Sequence, residues 1–384
     1  MRDTVAPRKA VCSFFGHYDI YDTDLKQRLT RALFTLAQQH DAVEFLFHRQ
    51  GRFSHLCFLS ALMTKQHFPG KAITLTLVQS EKDRDHLFAH PDLDVHALLY
   101  SLADEVLIPP IRDTDHPLAD RKRISRWVLQ QSTHLVRYLY RELDELPPKD
   151  YQAIQHSGAT LLDVSSAETA AFLSEQVRLL PAQEQALLTG WISGAQKKQL
   201  GTQLGLTPAL AGRCLSRAVI ALLKSLQSRY AKQRRESAPH VCGIVSMGTV
   251  SYKTLCLFEQ AVLLLSRDCS VSKFLVASEY GDSEYIYLLN QLPKHAEITV
   301  VTPSPAWTGP SPFPFPLPYQ NVEALESPAA ADPHSFPKAL LSRSDYCICN
   351  LPPNLRHIKS HLTEAAGVTV LDLGQASPAA RGNR

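Results

Sequence analysis

The chain has 384 residues, of which 45% are hydrophobic and 20% charged, as is ordinary for a globular protein of two or three domains. No apolar run reaches the roughly 18 to 20 residues of a membrane span, and the first residues lack the apolar core of a secretory signal. These features predict a cytoplasmic protein without membrane association. Residues 181–236 carry nine Lys or Arg and two acids, although the net charge of the whole chain is only +3.

Eight cysteines are scattered along the chain, and four of them lie in predicted strands: Cys12, Cys242, Cys347 and Cys349. No CxxC pair occurs, so the sequence predicts neither a zinc site nor a thioredoxin-like motif. We therefore expect buried, reduced thiols and no bound metal.

Taken in chain order, the elements form an internal repeat. VCSFFG from Val11 recurs as VCGIVSMG from Val241, and FLFHRQGRFSHLCFLSAL from Phe45 recurs as FLVASEYGDSEYIYLLNQL from Phe274. Three further pairs keep the order: KAITLTLV with HAEITVVTP, THLVRYLY with SDYCICNL, and GATLLDVS with GVTVLDLG. Each copy reads strand, helix, strand, helix, strand, loop, strand, helix, strand. Apolar strands alternating with helices predict an α/β fold with a doubly wound, mostly parallel sheet in each copy.

Two long segments lie between predicted strands. Residues 78–123 are predicted to be an excursion in the first copy. Residues 303–338 are rich in proline, which we expect to prevent helix formation and sheet pairing there. This second segment is predicted to be either a surface cover or a lid or partner-binding segment.

The basic segment between the copies predicts three helices. The first has an apolar face and ends before Gly194, and the short second helix ends at Gly205. Thr207 is expected to cap the long third helix, with Pro208 in its first turn. The predicted core stripe of that helix is Leu210, Leu215, Val219, Leu222 and Leu223. Two helices joined by a short glycine-containing turn predict a helix-turn-helix.

About 50 residues of this segment, LPAQEQALLTGWISGAQKKQLGTQLGLTPALAGRCLSRAVIALLKSL, resemble region 4 of the sigma-70 family and LuxR-type helix-turn-helix modules. Gly205, Thr207 and the pair Arg217–Ala218 carry the resemblance. Leu210, Gly212 and Cys214 stand where that family commonly has polar or basic residues that touch DNA. The resemblance therefore implies contacts to phosphates rather than to bases. The candidate DNA-binding residues are Lys197, Lys198, Thr207, Arg213 and Arg217, with further cations in the tail RYAKQRR. The alternative is a helical linker with solvated charges.

Three stretches of the first copy are similar to the SLOG superfamily, which includes the YpsA-like branch and the DprA- and LOG-type Rossmann-like proteins. They are FFGHYD at the end of the first strand, the strand-turn-helix around Gly51, and the stretch RKRISRW. The resemblance implies a pocket at the carboxyl ends of the strands for a nucleotide or nucleotide-derived ligand. The implied binding residues are Gly16, His17, Asp19, Gly51, Arg52, Ser54, Arg123 and Arg126, with Gly248, Gly281 and Ser283 in the second copy. The alternative assigns Gly16 to a turn, His17 to a satisfied surface histidine and the arginines to a solvated helix face.

The sequence contains no LOG-type PGGxGTxxE loop and no GxSxG, HExxH or Walker A motif. We therefore predict no catalytic residue and no cofactor apart from the nucleotide-derived ligand, and an enzyme is the less favoured class. The predicted architecture is two SLOG-like Rossmann domains, residues 1–166 and 238–384, flanking an all-α helix-turn-helix domain, residues 167–237.

The favoured function is a DNA-binding transcriptional regulator that senses a nucleotide or nucleotide-derived ligand. Two alternatives stay open: a nucleotide-processing enzyme related to LOG phosphoribohydrolases, and a non-catalytic scaffold or defence-type sensor. DNA and a nucleotide-like small molecule are the predicted partners. RNA polymerase and a second copy of the chain are further candidates.

Overall fold

The computed structural model describes residues 9–48, 51–82, 95–111, 117–143, 153–246, 251–277, 296–302, 320–324, 335–351 and 367–375. The strands are β1 (Lys9–Gly16), β2 (Ala42–Phe47), β3 (Ala72–Val78), β4 (Glu105–Leu107), β5 (His134–Tyr138), β6 (Thr160–Asp163), β7 (His240–Ser246), β8 (Val271–Ala277), β9 (Glu297–Thr302), β10 (Gln320–Ala324), β11 (Tyr346–Asn350) and β12 (Thr369–Asp372). The helices are α1 (Leu25–Gln39), α2 (Arg52–His67), α3 (Val95–Leu102), α4 (Pro117–Gln131), α5 (Ala167–Arg178), α6 (Ala182–Ile192), α7 (Lys197–Gln203), α8 (Pro208–Glu236), α9 (Tyr252–Leu263) and α10 (Ser335–Ser342).

The strands form two parallel six-stranded sheets that share one topology. The first has the order β4-β3-β2-β1-β5-β6 and the second the order β10-β9-β8-β7-β11-β12. The predicted repeat is therefore confirmed at the level of strand order, and the α/β fold is Rossmann-like. In the first sheet the order reverses between β1 and β5, where Gly16 lies opposite Tyr138 in parallel register. In the second sheet the reversal lies between β7 and β11.

Each sheet contains one strand that the sequence did not predict. In the excursion of the first copy, β4 pairs with β3, and α3 precedes it. In the proline-rich segment, β10 pairs with β9. The expectation that prolines prevent pairing throughout residues 303–338 was wrong, because β10 consists of the proline-free stretch QNVEA. Backbone N–H groups are all present there, so a parallel ladder can form.

The chain divides into two compact units. One contains Met1–Ala10, Leu33–Val128 and Pro239–Arg384, and the other contains Val11–Ala32 and Leu129–Ala238. The division into domains at residues 166/167 and 237/238 stays a prediction. Among the described residues no single helix has the length and apolar character of a membrane span, and α7 and α8 meet that criterion only as a pair bent by 102°.

In the first unit, α2 is buried on all sides. Every residue from Phe53 to Thr64 is buried, because α2 contacts β3 of the first sheet as well as β12 of the second. The Gln66 side chain donates to the Val370 carbonyl at 2.6 Å and accepts from the Val370 N–H at 3.1 Å. A helix that is buried around its whole circumference is typical of a core position.

In the second unit, four helices follow β6. Ser166 caps α5 by accepting from the Thr169 N–H. Helices α6, α7 and α8 share a small core of Leu187, Leu200, Ala211 and Cys214, with Trp191 and Leu204 packed against it. Thr207 accepts from the Leu210 N–H at 3.3 Å and caps α8, as predicted. The predicted core stripe of α8 was wrong at Leu210, which lies in the first turn of the helix, is 37% exposed and does not belong to this core.

Candidate functional site

The point where the first sheet reverses its strand order is the usual place for a ligand in this class of fold. Gly16 ends β1 at this point, and His17 follows it. The His17 N–H donates to the Tyr138 carbonyl at 3.1 Å, and His17 Nε2 accepts from the Tyr140 N–H at 2.8 Å. The rings of His17 and Tyr140 are stacked with their centroids 5.8 Å apart. His17 is therefore held by β5 and the residues that follow it.

A buried carboxylate, Asp22, lies next to this histidine and tyrosine cluster. Its side chain is 3% exposed and pairs with Arg28 at 3.0 Å. It also accepts from the Tyr140 hydroxyl at 2.5 Å and from the Thr169 hydroxyl of α5. Asp22 lies just before α1, where the N-terminus of a helix favours negative charge. Asp22 thus lies near the N-terminus of α1, where phosphates bind in many α/β proteins, and its carboxylate is engaged by Arg28, Tyr140 and Thr169.

The tyrosines of this cluster are held in their neutral form. Burial, followed by the nearby charge of Asp22, raises the pKa of both Tyr138 and Tyr140 well above the usual value. The Tyr138 hydroxyl accepts from the Tyr21 N–H at 2.9 Å, and the Tyr140 hydroxyl accepts from the Ser166 N–H at 2.8 Å. These hydroxyls act as structural hydrogen-bonding groups and are poorly suited to act as nucleophiles or bases near neutral pH.

The sequence did not identify Asp22, Tyr140 and Thr169 as part of this cluster. The motif FFGHYD predicts ligand contacts only at Gly16, His17 and Asp19. Asp19 is half-buried in the structure. The available signal was the second Asp of HYDIYD, three residues beyond Asp19, but its partners lie more than a hundred residues away in the chain. Only the folded topology shows that they meet.

The predicted turn before α2 is present. Gly51 is buried with φ 120° and ψ 167°, a conformation that other residues rarely adopt. Its carbonyl accepts from the His55 N–H at 3.0 Å. Arg52 is half-buried in the first turn, and the Ser54 side chain is directed into the interior, with 9% of the residue exposed. The turn thus places a glycine, a helix N-terminus and a cation together, as an anion site requires.

A buried, hydrogen-bonded pair of side chains that the sequence did not predict lies one turn into α2. His55 Nδ1 and Asp268 Oδ2 are 2.7 Å apart, and their side chains are 6% and 1% exposed. Asp268 ends the π-helical turn Leu264–Asp268 that follows α9, and it also pairs with Arg267 at 2.7 Å. Burial alone would raise the pKa of Asp268, but the hydrogen bonds from His55 and Arg267 outweigh it and lower the pKa.

Arg123 and Arg126 both lie on the exposed side of α4, opposite the buried Ile124 and Val128. This is the arrangement expected of the alternative, a solvated helix face, and phosphate binding by these two residues stays a prediction. Gly248, Gly281 and Ser283 lie outside the described residues.

The predicted DNA-binding residues lie on α7, α8 and the turn between them. Lys198 and Arg213 are exposed. Lys197 is also exposed, and its ammonium lies over the Trp191 ring, 4.8 Å from the centroid. Arg217 is 66% exposed and 3.2 Å from Glu184 of α6. Arg213 and Arg217 lie on the side of α8 away from its buried residues.

Two positions that the sigma-like pattern associates with DNA contact behave differently from each other. Leu210 is partly exposed, whereas Cys214 is 1% exposed and belongs to the core shared by α6, α7 and α8. Cys214 is thus a packing residue. The exposed start of α8 offers few side chains that could form hydrogen bonds with bases.

No protein-family model matches the chain, and no curated protein is significantly similar to it.

Among the described residues no three His, Cys, Asp or Glu side chains are placed to hold a metal ion. All eight cysteines lie among the described residues and none forms a disulfide; seven are buried and Cys256 is half-buried. A cavity of about 20 Å³, lined by Ser80, Ile108 and Asp120 among others, lies beyond the ends of β3 and β4. That volume suits one water molecule rather than a nucleotide.

Proposed function

We propose that the protein is a DNA-binding regulator in which α7 and α8 form a helix-turn-helix that resembles region 4 of the sigma-70 family. The observation that carries the proposal is the joint between these helices. They meet at 102° across a turn of four residues, Leu204 to Thr207, in which Gly205 has φ 66°. Helix-turn-helix motifs have helices at about 90 to 120° and turns of three or four residues that often contain Gly.

The charge on these helices supports binding to phosphates. Helix α8 carries seven Arg or Lys residues and one acid, Glu236. Lys198 of α7 and Arg213 of α8 are exposed, and Arg217 of α8 is 66% exposed. Contacts between such cations and phosphates supply affinity and strong salt dependence but no sequence information. We therefore propose a protein whose own DNA readout is weakly specific and whose specificity depends on DNA shape or on a partner such as RNA polymerase.

In this proposal the two α/β repeats are SLOG-like regulatory domains. The turn at Gly51 and Arg52 is the described position that best supports an anionic, nucleotide-derived ligand. The crevice after β1 favours a second candidate function, a non-catalytic scaffold, because it holds Tyr138, Tyr140 and Asp22 in a closed hydrogen-bonded cluster. The two functions differ in whether the protein binds DNA.

Fluorescence anisotropy with a labelled 20-bp duplex, at several salt concentrations, tests the proposal. We expect the double variant Lys198→Ala/Arg213→Ala to bind more weakly and to lower the slope of log K against log salt by about 2, since each phosphate contact contributes about 0.9. The matched control is Arg121→Ala/Lys122→Ala, which removes two exposed charges from α4 and should leave affinity and slope unchanged.

Absence of binding by the unmodified protein at 50 mM salt would overturn the DNA-binding proposal and favour the scaffold. Equal losses in the two double variants would show that net charge, rather than the joint of α7 and α8, governs binding.

A further inference from the structure

Helix α8 extends far beyond the joint. It contains 29 residues, Pro208 to Glu236, and is about 43 Å long at 1.5 Å per residue. A recognition helix needs only its first few turns to reach the bases. Contacts with bases therefore do not account for the C-terminal part of α8.

Four cations of α8 lie on one face of the helix. Arg213, Arg217, Lys224 and Arg235 are all exposed, and at 100° per residue they lie within about 40° of one another around the axis. We call this face the basic ridge. The buried residues of α8 lie on the opposite side: Ala211, Cys214, Leu215, Ala218, Val219, Leu222 and Leu226.

The other cations of α8 have different surroundings. Arg229 lies on the buried side with its side chain 17% exposed, pairs with Glu168 of α5 and lies 4.7 Å over the Phe172 ring. Arg229 therefore anchors α8 to α5 and turns the basic ridge outward. Lys232 and Arg234 lie about 60° or more to either side of the ridge, by the same helical geometry.

The basic ridge contains no acid. The single acid of α8 is its last residue, Glu236. Arg217 contacts Glu184 from the neighbouring helix but is still 66% exposed, so water or a phosphate can reach it. Ile220, 49% exposed, is the apolar residue on this face between Arg217 and Lys224. Four cations and one aliphatic side chain suit a polyanion better than a lipid bilayer, which requires a broad apolar face.

We propose that the basic ridge binds the phosphate backbone of duplex DNA along the whole length of α8, which rests on the proposed function. Arg213 and Lys224 are 11 residues apart, about 16 Å, and Arg213 and Arg235 are 22 residues apart, about 33 Å. One helical turn of duplex DNA spans about 34 to 36 Å. A helix lying lengthwise along the duplex thus places its proximal and distal cations about one turn apart, where the backbone recurs.

The test compares two double variants of the full-length chain on duplexes of 20 and 8 bp. Lys224→Ala/Arg235→Ala removes the distal half of the ridge. Lys232→Ala/Arg234→Ala removes two charges from the same stretch of α8 but away from the ridge. Unchanged circular dichroism verifies that both variants fold. We expect the distal ridge variant to lose roughly tenfold in affinity for the 20-bp duplex and about 2 in salt slope.

The 8-bp duplex spans about 27 Å, which reaches Lys224 but not Arg235 from Arg213, so the distal ridge variant should lose only about 1 in salt slope on it. The control variant should match the unmodified protein on both duplexes. Equal losses in the two variants, or a loss on 8 bp as large as on 20 bp, would overturn the proposal. Stronger binding to anionic vesicles than to DNA, abolished by the ridge variant, would overturn it as well.

The proposed function and this inference fail separately. If Lys198→Ala/Arg213→Ala weakens DNA binding but Lys224→Ala/Arg235→Ala does not, the helix-turn-helix proposal is supported and the proposal for the basic ridge is overturned. If the unmodified protein binds no duplex at all, both fall.

Discussion

Asp22 and Asp24 both pair with Arg28, but in different surroundings. The Asp22 side chain is 3% exposed and the Asp24 side chain is 56% exposed. Arg28 keeps Asp24 as a partner when Asp22 is replaced, but an Asn at position 22 offers one acceptor oxygen to three donors, the Arg28 guanidinium and the hydroxyls of Tyr140 and Thr169. Each buried polar group left unsatisfied costs about 1 to 3 kcal/mol, whereas exposed pairs contribute up to about 1 kcal/mol. We expect Asp22→Asn to lower the free energy of unfolding by about 3 kcal/mol and Asp24→Asn by less than 1 kcal/mol, measured by urea denaturation.

Asp24→Asn is the control for this measurement, because it removes the same charge from the same arginine. Similar effects of the two substitutions would show that the hydrogen bonds to Tyr140 and Thr169 add little. A changed denaturant slope for Asp22→Asn would instead indicate that the cluster opens in the folded state.

At the residue scale, the sequence predicted where individual residues lie along strands and turns better than it predicted which residues they contact. Gly51 needed only local information, since a glycine between a strand and a helix indicates a turn with positive φ. His17 was placed correctly at the end of a strand, but its partners come from β5 and the residues after it. The pairing of His55 with Asp268 joins residues 213 positions apart, and no local pattern can predict such a contact.

At the element scale, Gly205 and Gly212 provide a matched pair of substitutions. Gly205 has φ 66° in the turn between α7 and α8, whereas Gly212 is helical within α8. A Cβ atom at either position would meet nothing within 4 Å, so the backbone conformation decides the effect. We expect Gly205→Ala to destabilise by about 1 to 2 kcal/mol and Gly212→Ala to stabilise by about 0.5 to 1 kcal/mol.

Thermal denaturation followed by circular dichroism measures both effects, and the opposite signs make each substitution the control for the other. Two destabilising substitutions would indicate that α8 approaches another element at Gly212. A neutral Gly205→Ala would mean that the turn can adopt negative φ, and the 102° joint would then lose its local basis.

The elements that the sequence predicted are those with strong periodicity and clear ends. Five strands of each copy were predicted because their apolar runs recur in the same order. Two more, β4 and β10, were not, because β4 has three residues and β10 follows a run of prolines. Both depend on pairing with the longer neighbours β3 and β9, which is information that a single segment does not contain.

At the scale of the whole molecule, the buried pair of His55 and Asp268 makes stability depend on pH. The folded-state pKa of Asp268 is lowered relative to about 3.9 in the unfolded chain. Its contribution is therefore complete above about pH 5 and is lost progressively as the pH falls through the unfolded-state pKa and then the folded-state pKa. We expect the stability difference between the unmodified protein and Asp268→Asn to shrink between pH 5 and pH 3.

Urea denaturation across this range measures that difference. Glu297→Gln is a suitable control, because Glu297 is 46% exposed in its pair with Lys273 and should contribute little at any pH. A difference for Asp268→Asn that stays constant down to pH 3 would contradict the prediction.

The hydrogen bonds between Gln66 and Val370 have a consequence for self-association. β12 is the outermost strand of its sheet and has only four residues, and such strands can recruit a strand from another molecule. The Gln66 amide takes up both outward-facing backbone groups of Val370, as a neighbouring peptide group would. A second molecule could add to β12 only by displacing a side chain of the buried helix α2. The side chain thus protects this edge against aggregation by strand addition.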